Sequence, residues 1–219
     1  MPYAVKEVFY TLQGEGANAG RAAVFLRFSG CNLWSGREED RHKGRGGCAR
    51  WCDTDFVGTG GAGGGRFEDA PALARRVAET WGGGAGGGAG GGRRLVVCTG
   101  GEPLLQLDAP LVGALHDEGF EVAIETNGTL LPPPGVDWVC VSPKAGAPLA
   151  LTRGDELKLV FPQEGLDPSS FEPLDFTHRF LQPLDSPARA AHARLAVEYC
   201  LRHPRWRLSV QAHKVLGIP

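Results

Sequence analysis

The chain has 219 residues, the length of one well-buried domain or at most two small ones. Its net charge of -2 and isoelectric point near 6.3 give no electrostatic reason to expect nucleic acid or an anionic membrane as a partner. No basic segment leads into an apolar core at the N-terminus, and no apolar run is long enough to span a bilayer, so a cytoplasmic location is expected. In that compartment the six cysteines read as metal ligands, catalytic groups or small buried thiols rather than as disulfides.

Gln13-Gly-Glu-Gly16 reads as a turn ahead of the first expected strand, residues 22–28. That strand is apolar on both faces except for Arg27, the pattern of a strand inside a parallel sheet. A lone buried cation is costly, so Arg27 and Lys158 each want a carboxylate, either a ligand's or a protein group such as Glu125 or Glu156. Residues 31–55 form a polar, glycine-dotted loop carrying Cys31, Cys48 and Cys52. Two glycine tracts, 58–65 and 82–92, hold too few side chains to join a core and read as flexible surface loops. Between them a helix is expected over residues 67–81, with Leu73, Val77 and Trp81 recurring every fourth residue and Arg75, Arg76 and Glu79 on the other side.

From Arg94 onward one grammar repeats. Strand 94–98 ends in Thr99-Gly-Gly-Glu-Pro103, after which Asp108 caps a helix that carries Leu111 and Leu115 and stops at Gly119. Strand 121–124 ends in Glu125-Thr-Asn-Gly128, strand 138–141 ends in Ser142-Pro-Lys144, and strand 156–161 follows. Strand 178–181 ends in Gln182-Pro-Leu-Asp185, helix 188–202 sets Ala191, Leu195 and Tyr199 in register, and strand 207–210 ends in Gln211-Ala-His-Lys214. Short apolar strands that release polar or glycine-rich residues at their C-terminal ends mark a parallel α/β sheet with its active site at the carboxyl edge. Seven strands and about three helices fall short of the eight units of a full barrel. The expected fold is therefore an incomplete, TIM-like (β/α) barrel with predominantly parallel strands, one domain over residues 1–219.

The cysteine loop follows the first of these strands, which places its thiols at the same edge. Thiolates suit an iron–sulfur cluster, and three of them leave one iron of a four-iron cluster open to a small molecule. A structural zinc knot is the bland alternative; it would close with four ligands, and the nearby fourth candidate is His42. Cys98, Cys140 and Cys200 lie in apolar segments and read as packed, inert thiols.

Cys31, Cys48, Trp51-Cys52 and Gly100-Gly-Glu-Pro103 together resemble the radical S-adenosylmethionine superfamily. Thr11-Leu-Gln-Gly-Glu-Gly16, Cys31-Asn-Leu-Trp34, Cys52-Asp-Thr-Asp-Phe56, Glu125-Thr-Asn-Gly128, Val141-Ser-Pro-Lys144 and His213-Lys214 with Ile218-Pro219 narrow the resemblance to the 7-carboxy-7-deazaguanine synthase family. One departure stands out: three residues separate Cys48 from Cys52, where the family's expanded loop ends in C-x2-C. This makes Cys48 the least secure ligand and His42 its distant substitute. The resemblance implies a [4Fe-4S] cluster on Cys31, Cys48 and Cys52, with S-adenosylmethionine chelating its open iron and a one-electron donor such as a flavodoxin or ferredoxin. It further implies that Gly101 approaches the methionine end of S-adenosylmethionine, and that Trp51, Cys52, Asp53, Ser142, Pro143, Lys144, Gln182, Pro183, Leu184 and Asp185 hold the rest. The implied substrate is a pterin, 6-carboxy-5,6,7,8-tetrahydropterin, contracted to 7-carboxy-7-deazaguanine with loss of ammonia on the way to queuosine. Arg27 would pair its carboxylate; Leu12, Gln13, Gly14, Thr99 and Pro219 would frame its ring; Thr54 would coordinate Mg2+. No general acid or base is assigned, and a homodimer is the expected assembly. An activase of a glycyl-radical enzyme and a zinc-stapled binding module are the alternatives.

Overall fold

The computed structural model describes residues 2–82 and 93–219, so the second glycine tract beyond Gly82 lies outside the described residues. Nine strands form one sheet in the order β3-β1-β2-β4-β5-β6-β7-β8-β9. They are β1 (Tyr3–Leu12), β2 (Ala22–Phe28), β3 (Gly65–Phe67), β4 (Arg94–Gly100), β5 (Phe120–Thr126), β6 (Trp138–Val141), β7 (Arg153–Phe161), β8 (Asp175–Pro183) and β9 (Arg207–Leu208). From β2 to β9 every pairing is parallel, and these are the seven strands expected from the sequence. The sheet does not close, since β3 and β9 are both edges. The incomplete barrel is borne out.

Two strands were not anticipated. β1 and β3 extend the sheet antiparallel on its N-terminal side. In β1 a register shift between Val5 and Glu7 breaks the alternation that would have marked a strand. The tract 58–65 is hydrogen-bonded along β1, with Gly61 N–H donating to Lys6 O at 2.9 Å and Val8 N–H to Ala62 O at 2.8 Å.

Helices α1 (Ala70–Gly82), α2 (Ala109–Asp117) and α3 (Arg189–Arg202) follow β3, β4 and β8, and the short α4 (Ala212–Leu216) ends the chain. α1 starts three residues later than expected because Phe67 belongs to β3 and Asp69 Oδ1 accepts from Ala72 N–H at 2.8 Å, capping the first turn. Its face of Leu73, Val77 and Trp81 is buried as the spacing predicts. α2 is capped by Asp108, which also accepts from Tyr3 Oη at 2.7 Å and so ties the helix to β1. α3 differs from expectation: Ala196, Tyr199 and Cys200 face the sheet, while Leu195 is 45% exposed. Consecutive helical residues point about 100° apart, so seating the small Ala196 in the core with Trp206 turns Leu195 outward.

These helices cover one face of the sheet. Val24, Leu26, Val96, Val122 and Ile124 meet α1 and α2 in the main core, and Leu157, Leu159, Leu181 and Trp206 meet α3 in a second. Each fully buried leucine here contributes roughly 1.5–3 kcal/mol. Among the described residues, the other face holds only a small cluster of Ala23, Leu95, Val97 and Ala123 with Phe25 and Trp138. That asymmetry leaves room for a cavity on the concave side. No helix among the described residues is long and apolar enough to cross a membrane.

Candidate active site

A cavity of about 440 Å3 lies at the carboxyl ends of the parallel strands. Cys31, Cys48 and Cys52 share its wall, and all three are unpaired thiols. The loop that carries them has its own small core, in which Trp34, Ala49 and Phe56 pack with Cys31 and Cys52. Gly47 N–H donates to Ala145 O at 2.7 Å, docking the loop on the Ser142-Pro-Lys144 segment. The long spacing from Cys48 to Cys52 has a simple resolution. Residues Gly47–Arg50 form a 3-10 turn, and Cys48 O accepts from both Trp51 N–H at 3.0 Å and Cys52 N–H at 2.7 Å. Cys48 and Cys52 both line the cavity, so the additional residue carries neither thiol off its wall. Cys48 is buried in the cavity wall, whereas His42 is exposed and does not line it. Burial pushes the Cys48 thiol up to about 11 and raises Cys31 as well, so a metal would have to displace their protons. Cys98, Cys140 and Cys200 lie outside this wall, and burial lifts Cys98 to about 12.

The end of β4 presses directly on the cysteine loop. Gly100 has φ +144°, and a Cβ on Gly101 would sit 2.7 Å from Cys31 Cβ, so neither position admits a side chain. Glu102 is fully buried behind them. Its carboxylate accepts from Leu104 N–H at 3.0 Å, Thr126 Oγ1 at 2.7 Å and Asn127 N–H at 2.8 Å, clamping the ends of β4 and β5 together.

Beside the cysteines, Lys144 donates to Ser142 Oγ at 2.5 Å and lies 5.8 Å from the Trp51 ring centre; burial lowers its pKa. Lys214 bridges Asp53 at 2.6 Å and Asp185 at 2.5 Å, so the C-terminal segment ties the cysteine loop to the end of β8. Gln182, Pro183, Leu184 and Thr54 also line the cavity. Pro143 does not: it is buried behind Ser142 and Lys144.

The opposite end is polar and charged. Arg27 donates Nε to Glu7 at 2.7 Å, and its two terminal nitrogens have no protein partner among the described residues. Phe9 and Phe25, paired across β1 and β2, stack with centres 5.4 Å apart on the same wall. Lys158 donates to Glu15 at 2.6 Å and Glu125 at 3.1 Å. The expected partner Glu156 is turned away from Lys158 and accepts instead from Ala17 N–H at 2.9 Å and the Cys140 thiol. Burial opposes the charge on Lys158, but Glu125 and Glu15 hold it well above its ordinary pKa. Burial likewise opposes the charge on Glu15, and Lys158 overrides it, lowering the Glu15 pKa. Glu125 accepts from Gln13 Nε2 at 3.2 Å and from Thr99 Oγ1 at 3.4 Å, while Glu15 accepts from Gln182 and Gln211 Nε2 at 3.0 Å each. Leu12, Gly14 and Pro219 complete this end, with Thr11 Oγ1 donating to Pro219 O at 3.0 Å. Sequence reasoning pairs Lys158 with a carboxylate, either a ligand's or one such as Glu125, and the Glu125 pairing is present; it does not place Glu15, Glu125, Lys158, His213 or Lys214 among the site residues.

Every residue expected at the site except Pro143 thus lines one cavity. Among the described residues no three His, Cys, Asp or Glu side chains gather where a single metal ion would hold them, so a zinc staple finds no support. Nothing in the fold favours a glycyl-radical activase either.

No protein-family model matches the chain. It is 62% identical over 219 residues to the 7-carboxy-7-deazaguanine synthase of Bordetella pertussis, covering all of both chains. With the enzyme of the same name from Caulobacter vibrioides the identity is 60% over the full length of both. Among solved structures, the crystal structure of QueE from Escherichia coli superposes with a TM-score of 0.67 at 29% identity, covering 97% of this chain and 95% of that one. By identity across its whole length, and by a fold that gathers the matching residues around one cavity, the chain belongs to the 7-carboxy-7-deazaguanine synthase family of radical S-adenosylmethionine enzymes.

Proposed function

We propose that this chain converts 6-carboxy-5,6,7,8-tetrahydropterin to 7-carboxy-7-deazaguanine with release of ammonia, in 7-deazapurine and queuosine biosynthesis. The observation that carries this reading is the division of one cavity: three thiols and the Gly100-Gly101 backbone at one end, Arg27 and the Gln13–Glu15 turn at the other. The donor set fits a [4Fe-4S] cluster, since Cys31, Cys48 and Cys52 are free thiols on the wall of one cavity and thiolates are the ligands such a cluster takes. Bound there with S-adenosylmethionine, such a cluster supplies one-electron cleavage to a 5′-deoxyadenosyl radical, which is the cofactor's chemistry and not the protein's.

The chain's own residues bind, orient and exclude water. Gly100 and Gly101 offer bare backbone to the methionine end of S-adenosylmethionine, while Trp51 to Asp53, Ser142, Lys144 and Gln182 to Asp185 surround its adenosyl end. Pro143 acts from behind, fixing the turn that presents Ser142 and Lys144. Glu7 holds Arg27 by Nε, which leaves the terminal fork of the guanidinium to take the substrate carboxylate in bidentate fashion. Phe9 and Phe25 give the pterin a flat apolar wall. Gln13, Glu15 and Glu125 accept ring N–H groups in a site where Lys158 pairs with both carboxylates, and Leu12, Gly14, Thr99 and Pro219 close the ring's edges. Thr54, which lines the cavity, would supply an oxygen to a Mg2+ that helps orient the substrate. The enzyme works in the cytoplasm as a homodimer, and a flavodoxin or ferredoxin delivers its electrons.

The test is an anaerobic assay of the iron-reconstituted protein with S-adenosylmethionine, a reductant, Mg2+ and the pterin, following 5′-deoxyadenosine and the deazaguanine by mass. Multiple turnovers of product establish the reading. Deoxyadenosine without product discards the substrate, and an iron-free, inert protein discards the cluster.

A further inference from the structure

Arg41 lies in the middle of the long span between Cys31 and Cys48, outside every motif used above. Its guanidinium nevertheless reaches both sides of the turn that carries two of the three cysteines. Nη1 donates to Ala49 O at 2.7 Å and Nη2 to Cys52 O at 3.2 Å. Nε donates to Glu38 at 2.7 Å, and the guanidinium carbon sits 4.8 Å from the centre of the Trp34 ring. Trp34 in turn packs with Ala49 and Phe56 against Cys31 and Cys52.

The geometry has a physical reason. The last carbonyls of a helical turn have no partner within the turn, and a basic side chain near that end can take them. Cys48 O already closes the turn by accepting from Trp51 and Cys52 N–H, while Ala49 O and Cys52 O point outward to Arg41. A planar fork can hold two carbonyls at a fixed separation, which a single ammonium cannot. Stacking on Trp34 and pairing with Glu38 hold the fork in place from the other side.

We infer that Arg41 locks the segment that runs from Cys48 to Cys52, so that retention of the iron–sulfur cluster depends on a guanidinium outside the cysteine motif. Arg41 is a positioning residue acting through the backbone of a ligand. The inference rests on the cluster reading above, and it assigns the span between Cys31 and Cys48 the task of stabilising the lengthened turn.

The experiment compares wild type, Arg41→Met and Arg41→Lys after anaerobic reconstitution. Three quantities are read: iron per protomer, the rate of iron loss to a chelator followed by the cluster's visible absorbance, and the melting temperature of the metal-free protein. Removal of a group that supports a ligand lowers metal retention about tenfold or more, so Arg41→Met should lose iron about tenfold faster than wild type. Arg41→Lys should fall between them, because it keeps the charge over Trp34 and loses the fork. The metal-free melting temperatures should agree among the three. Wild-type iron loss in Arg41→Met overturns the inference, and so does faster loss that merely tracks a lower melting temperature of the metal-free protein. Failure of the wild type itself to take up iron removes the cluster reading and this inference together, and is distinct from a defect confined to the variants.

Discussion

Lys158→Met tests the polar end of the cavity most directly. The lysine side chain is 6% exposed and pairs with Glu15 and Glu125, which are 13% and 22% exposed. Methionine matches its length but removes the only cation within bonding distance of either carboxylate among the described residues. Breaking a buried pair by removing one partner costs about 3–5 kcal/mol, because the remaining charge is left uncompensated. The pH dependence follows from the shifts. Glu15 in the wild type titrates below its ordinary 4.5, so its contribution is present above that value and is lost as pH falls through the folded pKa. Lys158 titrates above 10.5, so its contribution is full below that value and disappears only as pH rises through the folded pKa. Between the two limits the pair contributes a constant amount. In the variant burial and the like charge of Glu125 oppose the charge on Glu15 with only the Gln182 and Gln211 amides and His213 left to favour it, so the Glu15 pKa should rise. Protonation then relieves the strain, and the deficit should be largest near neutral pH and shrink below about pH 5. Urea unfolding of the metal-free protein at a series of pH values measures this. A deficit under about 1 kcal/mol, or one equal at acid and neutral pH, would refute the assignment of Lys158 as the counter-ion of these carboxylates.

Other consequences can be read with standard assays. Serine at Cys31, Cys48 or Cys52 should each abolish iron uptake, while Cys98→Ala and His42→Ala should keep wild-type iron, since neither residue lines the cavity; retention in Cys48→Ser would reassign that ligand. Arg27→Gln should raise the pterin KM by roughly tenfold to a hundredfold, the worth of a charge-assisted hydrogen-bonded contact, with a smaller effect on kcat; an unchanged KM would give the carboxylate to another cation. Glu102→Gln keeps the shape of the side chain but turns its NH2 toward either Leu104 N–H or Asn127 N–H. Leaving one buried donor unpaired should destabilise the metal-free protein by about 2–3 kcal/mol in urea, and a neutral result would mean that Glu102 does not clamp β4 to β5.

The parallel strands were legible because a strand buried on both faces shows as a continuous apolar run, and each of the seven ended in residues of a different chemical kind from its interior. β1 was not legible for the converse reason. Its register shift puts Lys6 and Glu7 side by side in the chain, and it is held by neighbours distant in sequence, Leu26 across from Val8 and the tract around Ala62. Helical periodicity located α3 but misjudged its inward face. The pattern weighs size, and the structure chose the small Ala196, which lets the helix approach a sheet already occupied by Trp206.

The site divides along the same line. Thiols, a Gly-Gly pair and a Ser-Pro-Lys turn announce themselves by residue type and position at a strand end, and they do meet at one cavity. The charged network announces itself only in part: a lone cation at Lys158 calls for a carboxylate, and Glu125, 33 residues away, was among the candidates, but Glu15, 143 residues away, was not. Those partners follow from the order of strands in the sheet, which residue type does not encode. Spacing proved a poorer guide than geometry for Cys48. Counting residues made the longer gap look like a defect, yet the quantity that matters is which face of a turn each thiol occupies. Cys48 and Cys52 both stay on the cavity wall with three residues between them, while Arg41, from outside the turn, takes up the Ala49 and Cys52 carbonyls that the longer segment exposes.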